Sequence, residues 1–362
     1  MNKSILVIST QYPGYGGAST NAYAIIKYLR KQNYNVVGIF VEDKNINVDP
    51  DNIGNIFRFA YYPFVQKINS KIAEYKILLD NLLKEPPNII LCKNYIAPLC
   101  SKMLYPNVKN IYLVSGLCCV IDICEKIPAN KLVSQKICLK KNRNEIMAID
   151  NSDIIVTNSP LTLDIFLNSF IEYKQKIYPI PVDTTKYATL LINNINNTNN
   201  AIQKKFDFII TSSILTRKEK NNIFMIDILN KPEFNKYTKL IIGSNNASFL
   251  NIPNSKVFDL LPHSKLMELM ANTKVLLYPS LYDSNPNTIR EAVHNKCLVL
   301  MSNNIGYHEL FPNISVCSTY DQKEWISKSI YLVDNYEKII KNYCINFNTD
   351  DILLQLIEKL VQ

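Results

Sequence analysis

Short β-branched, apolar runs alternate with longer stretches of helical period along most of this chain. In the first half the runs fall at Ser4–Ser9, Val36–Val41, Asn88–Cys92, Asn110–Ser115, Asp153–Asn158 and Ile177–Ile180. They lack the polar alternation of half-exposed strands, as expected for parallel strands covered by helices on both faces. Between the first two, Ala22, Ile25, Ile26 and Leu29 recur at helical spacing and give one buried face. The pattern breaks at Leu191–Asn200, an Asn-rich stretch without a core-building period that reads as a linker or surface loop. It restarts at Asp207–Ser212, Lys239–Gly243, Val257–Leu260, Val275–Pro279, Cys297–Ser302 and Ser315–Cys317, and from about Asp321 to Leu360 it reads as helices.

This order predicts an α/β protein built from two doubly wound, Rossmann-like domains. The first is expected over 1–188, an Asn-rich linker over 189–204, the second domain over 205–330 and C-terminal helices over 331–362. Open parallel sheets bind ligands beyond the carboxyl ends of their strands. Two such domains face to face would therefore make a cleft, with the chemistry in strand-to-helix loops.

Composition narrows the picture. An apolar fraction of 47% and a charged fraction of 20% over 362 residues suit a globular protein with sizeable cores. No run approaches the 18 or more apolar residues of a membrane span, and Ile5–Ile8 is too short for an export signal, so a cytoplasmic location is expected. The nine cysteines, an odd number without zinc-site spacing, then read as reduced structural thiols. A net charge of +9 is moderate, and the basic residues are dispersed without a nucleic-acid motif, which disfavours nucleic acid as a partner.

Three loops carry candidate chemistry. Of only eight glycines, Gly14, Gly16 and Gly17 cluster between the first strand and first helix, where missing Cβ atoms let backbone N–H groups approach an anionic ligand. A tight turn is the plainer reading of one glycine; three of eight favour ligand contact. The dinucleotide fingerprint GxGxxG is not matched, which disfavours an NAD site. After the strand at Phe208–Thr211, the loop places Arg217, Lys218 and Lys220 just before a helix near Asn222. Cations there oppose the helix dipole, an unfavourable placement that points to an anion such as a diphosphate rather than a solvated face.

The third loop is the most informative. Asp283 and Glu291 are separated by seven residues, Asn285 or Asn287 is positioned to cap the helix, and Pro286 suits its first turn. Backbone N–H groups near Asn287 and Thr288 would then be available to a diphosphate, and Glu291 to two vicinal hydroxyls. Alone, an acid pair at this spacing reads first as two unrelated surface residues.

Taken with its neighbours, the pair resembles the E-x7-E motif of the retaining glycosyltransferases of the GT-B fold, group 1 (family 4), with Asp283 in place of the first Glu. Tyr278-Pro279-Ser280, Glu291-Ala292 and Asn304 through Leu310 fall in that family's order. So do Pro13 to Ala18, and Asp153–Ser159 followed by Ile180 to Asp183. The resemblance implies a fold of two facing domains with an interdomain cleft, and transfer of a sugar with retention from a nucleoside-diphosphate donor to a glycan, lipid-linked or protein acceptor. It implies that Glu291 holds the ribose, Asp283 contacts the donor sugar hydroxyls, and Asn287 and Thr288 offer backbone contacts. Arg217 and Lys220 would neutralise the diphosphate without a metal or other cofactor, Gly16 and Gly17 would face the donor, and the last helix would cross back to the first domain.

Three departures stand out. Ser212-Ser213 occupy the family's usual Gly-Arg, so Arg217 must supply the guanidinium from another position. Asp283 is one methylene short, and Ser115-Gly116 stand where the family often keeps a histidine. These motivate the alternative of a degenerate member that binds a sugar nucleotide or partner without transfer. The three histidines, His263, His294 and His308, all lie in the second half, and only His263 falls where the family passes near the base. The basic stretch Lys131–Arg143 reads first as a solvated helix face and second as a peripheral membrane contact toward a lipid-linked acceptor.

Overall fold

The computed structural model describes residues 3–10, 17–42, 56–60, 76–77, 80, 85–93, 95, 97–114, 143–179, 204–343, 345 and 349–361. These fall into two compact units: one holds the described residues up to 179 together with the final helix, the other those from 204 to 345.

The strands of the first unit are β1 (Ser4–Thr10), β2 (Asn35–Glu42), β3 (Ile56–Ala60), β4 (Ile89–Cys92), β5 (Lys109–Leu113), β6 (Ile154–Thr157) and β7 (Ile177–Pro179). They form one wholly parallel sheet in the order β3-β2-β1-β4-β5-β6-β7. Six were legible as apolar runs. β3 was missed because it is five residues long with Arg58 at its centre and no helical period beside it. Helix α1 (Gly17–Lys31) buries Ala22, Ile25, Ile26 and Leu29, the four residues its period picked out. The C-terminal helix Thr349–Val361 belongs to this unit, where Ile357 is fully buried and Tyr28 Oη donates to Glu358 at 2.8 Å.

The second unit comprises β8 (Phe206–Ile214), β9 (Lys239–Ser244), β10 (Ser255–Phe258), β11 (Thr273–Tyr278), β12 (Leu298–Ser302) and β13 (Val316–Cys317). These make a six-stranded parallel sheet, β10-β9-β8-β11-β12-β13. Successive side chains leave opposite faces of a strand, and both faces are covered. Phe208, Ile210, Val275, Leu277, Leu298 and Leu300 pack with Trp325 and helix Asn222–Leu229 on one side. Ile209, Leu240, Ile242, Leu276, Val299 and Met301 pack with Ile289 and Ala292 of helix Asn287–His294 on the other. Every position named here is therefore apolar, which is why these strand sequences run without alternation.

Both sheets reverse their winding direction at the centre, between β1 and β4 and between β8 and β11. Loops leaving adjacent central strands diverge to opposite faces there and open a crevice at the strand carboxyl ends. In the second unit the two loops are those that follow β8 and β11.

Candidate active site

β8 does not end cleanly. Its pairing with β9 slips between Thr211 and Ile214, so Ser212 and Ser213 lie inside the irregular end of the strand and not in the loop after it, as the apolar pattern had suggested. Gly243 of β9 makes this bulge possible. Its φ is +151°, and a Cβ there would lie 2.0 Å from the Ser212 carbonyl oxygen. The chain then turns through Lys218–Lys220, a short 3-10 turn, and Asn221 takes the left-handed conformation (φ 54°) that asparagine tolerates before the next helix begins at Asn222.

This turn is fastened to the loop after β11. Asn221 Nδ2 donates to the Pro279 carbonyl at 3.2 Å, and Leu281 N–H donates to the Glu219 carbonyl at 2.8 Å. The loop after β12 is joined to the same strand end: Ser302 Oγ donates to the Ser280 carbonyl, and Gly306 N–H donates to the Asp283 carbonyl at 2.8 Å. Three separate loops thus become one hydrogen-bonded platform, which fixes side chains projecting from it.

At its centre Lys220 Nζ meets Asp283 Oδ2 at 2.5 Å, the two side chains being 19% and 18% exposed. The same Oδ2 accepts from the Tyr278 hydroxyl at 2.7 Å, and Oδ1 accepts from Asn285 N–H at 3.2 Å. Burial works against charge on both members, but each holds the other ionised: Asp283 is kept below the ordinary carboxylate value and Lys220 above the ordinary amine value. Burial, with the adjacent carboxylate, pushes the Tyr278 phenol up, so it stays protonated and able to donate.

A carboxyl whose pKa is depressed on folding stabilises the fold above its unfolded value and loses that contribution as the pH falls through the folded value. The lysine, raised on folding, contributes below its ordinary 10.5 and loses that only in strong alkali. The pair is thus intact at neutral pH and fades once the pH falls below the aspartate reference of 3.8. Urea melts of the wild type and Asp283→Asn are expected to differ by about 3 kcal/mol at pH 7, the usual loss when one partner of a buried pair is removed. That gap should close in acid below the reference value; a gap independent of pH would contradict the pairing.

Glu291 lies in the second turn of helix Asn287–His294 and is 26% exposed; His263 Nε2 approaches its Oε1 at 3.0 Å. Arg217, 40% exposed, forms an ion pair with Glu219 and not with the Asp283 cluster. The helix is not capped by an asparagine side chain: Pro286 sits at the cap position, and Asn287 is the first helical residue, its Oδ1 accepting from Arg290. Proline's fixed φ suits this entry, and the asparagine is drawn to the guanidinium one turn on. Thr288 follows Asn287 in the first turn.

No protein-family model and no curated protein matches this sequence. Solved structures do match its fold over nearly their whole length. A glycosyltransferase from Rickettsia africae ESF-5 aligns at 15% identity with a TM-score of 0.67, over 99% of this chain and 98% of that one. Sucrose-phosphate synthase from Thermosynechococcus elongatus aligns at 12% identity and 0.69, over 99% of both chains. Anabaena HepE, solved in complex with UDP and glucose, aligns at 14% identity and 0.65, over 98% of both. The fold is GT-B.

Within this GT-B chain, Arg217, Lys220, Asp283, Asn287, Thr288 and Glu291 all stand at or just beyond the strand carboxyl ends of the second sheet, and Lys220 and Asp283 are in direct contact. Gly17 opens α1 in the first unit. Gly16, Ser115, Gly116, most of the basic stretch 131–143 and the linker up to residue 203 lie outside the described residues. His294 ends its helix and His308 begins a 3-10 turn, Nδ1 donating to the Ile305 carbonyl at 2.9 Å. Sequence reasoning gave Tyr278 a place in the family's order but no role, and gave Glu219 none. A tyrosine ending a buried apolar strand is a hint of the former; Glu219 reads as part of an exposed charge run, although it is buried. Among the described residues, no group of three or more His, Cys, Asp and Glu could hold a metal ion, and no helix is long and apolar enough to cross a membrane.

Proposed function

We propose that this protein transfers a sugar from a nucleoside-diphosphate donor to an acceptor, with retention at the anomeric carbon, and that the donor binds on the loops of the second unit. The observation that carries the reading is the half-buried Lys220–Asp283 contact between the loops after β8 and β11, with Glu291 on the helix that follows the second loop. A departing nucleoside diphosphate accumulates negative charge, and a cation already fixed in place stabilises it with little reorganisation. In this role Lys220 receives the diphosphate and Arg217 assists from the exposed side of the same turn. The helix beginning at Asn287 and Thr288 presents its N-terminus to phosphate or sugar.

Glu291 accepts from the two ribose hydroxyls. Asp283, with one lone pair of Oδ1 beyond its bond to Asn285, takes a hydroxyl of the donor sugar. Retention follows when the acceptor hydroxyl arrives on the face from which the diphosphate leaves. These residues supply the charge themselves, so no metal is assigned a part. Other proteins of this fold lend weight to the donor class, HepE having been solved with UDP and glucose and a starch synthase with ADP and acarbose. The acceptor is proposed as a glycan or a lipid-linked sugar met in the cytoplasm or at a membrane surface.

A panel of UDP-, ADP- and GDP-sugars tests the reading by thermal shift. The matching donor at a hundred times its Kd adds about 2.7 kcal/mol of stability, and Glu291→Ala abolishes that shift. Slow release of nucleoside diphosphate from the matching donor separates a transferase from a member that only binds. If no nucleotide sugar moves the melting temperature, the reading fails.

A further inference from the structure

We propose that Tyr278 is a positioning residue of the donor site, its phenol bridging Lys220 and Asp283 so that the ammonium is held in one orientation. Asp283 and Lys220 sit on loops, but Tyr278 closes β11, where it pairs with Met301 of β12 and its ring packs in the core with Ile289 and Leu276. The strand therefore sets the position of its hydroxyl. That hydroxyl accepts from Lys220 Nζ at 3.1 Å and donates to Asp283 Oδ2 at 2.7 Å. The direction is forced, because an ammonium only donates and a carboxylate only accepts.

Packing alone does not ask for this oxygen, since phenylalanine fills nearly the same volume. Lysine, in contrast, has a flexible four-carbon stem and three rotatable donors, so one ion pair leaves it free to swing. With Tyr278 and Asp283 each taking one N–H, the third is the one left for a phosphate oxygen. Arg217 and Glu219, the other charged pair on this turn, bond to each other and supply no substitute.

The diphosphate role of Lys220 rests on the function proposed above, so the test has one arm that needs no ligand. In the full-length protein labelled with ¹⁵N-lysine, the Lys220 ammonium, assigned from its loss in Lys220→Arg, should exchange its protons slowly at neutral pH. Tyr278→Phe is expected to speed that exchange about tenfold, the scale of one hydrogen bond to a charged group. Tyr278→Met, which removes the hydroxyl by another route, should do the same. In the second arm, calorimetry with UDP, ADP and GDP should show about tenfold weaker binding, in either variant, of whichever nucleotide the wild type binds. A purely structural role would lower the melting temperature and leave the exchange rate unchanged. Unchanged exchange in a folded variant overturns the proposal. Accelerated exchange with no nucleotide bound by the wild type upholds the bridge and sinks the donor reading instead.

Discussion

Lys220→Ala is expected to lower turnover of the matching nucleotide sugar by about 10² to 10³-fold, the scale on which removal of one preorganised charge-stabilising group acts. Two effects add. On the proposed reading the cation that would meet the leaving diphosphate is lost, and the Asp283 carboxylate that Lys220 neutralised is left half-buried without its partner. Arg217 cannot compensate in place, because its guanidinium is already paired with Glu219. Lys220→Arg should recover only part of the loss, since a planar guanidinium cannot reproduce one point charge 2.5 Å from Asp283 and 3.1 Å from the Tyr278 oxygen. Steady-state release of nucleoside diphosphate measures the effect, with a melting curve to show that each variant is folded. A folded Lys220→Ala protein with wild-type turnover would remove this residue from the chemistry.

Gly243→Ala is expected to be the most damaging small substitution in the second unit, costing about 3 kcal/mol or more. The new methyl would lie 2.0 Å from a backbone oxygen, and the φ of +151° is one that L residues rarely adopt. Relief would require β8 and β9 to part at the bulge that precedes the turn carrying Arg217 and Lys220. Denaturant melts measure the stability loss. Nucleotide affinity should fall in step, because the displaced segment leads directly to the Lys218–Lys220 turn. A midpoint close to wild type would mean that the bulge is not tightly held.

Of the thirteen strands among the described residues, twelve overlap an apolar run legible in the sequence, most of them because burial on both sheet faces leaves that run uninterrupted. β3 was not legible, since Arg58 interrupts its run of five residues. In the site, Lys220 was legible as part of a cationic loop, Asp283 and Glu291 only through their resemblance to a family motif, and the structure joins Lys220 to Asp283. That junction was not legible: Tyr278 meets Lys220 across 58 positions of sequence, and the left-handed Asn221 that turns the loop has no local signature. The capping expectation failed for a similar reason. Asn287 has the right chemistry for a cap but is drawn to Arg290, a neighbour that helical geometry supplies only once the helix exists.

The return of the last helix to the first unit sets an order on biosynthesis. Residues 204–345 form a nearly continuous stretch and can close their sheet before helix Thr349–Val361 has left the ribosomal tunnel. The earlier-made half stays without that helix, and without the Tyr28–Glu358 bond, until residues 349–361 have emerged. In this chain the half that is made second is the first to be whole.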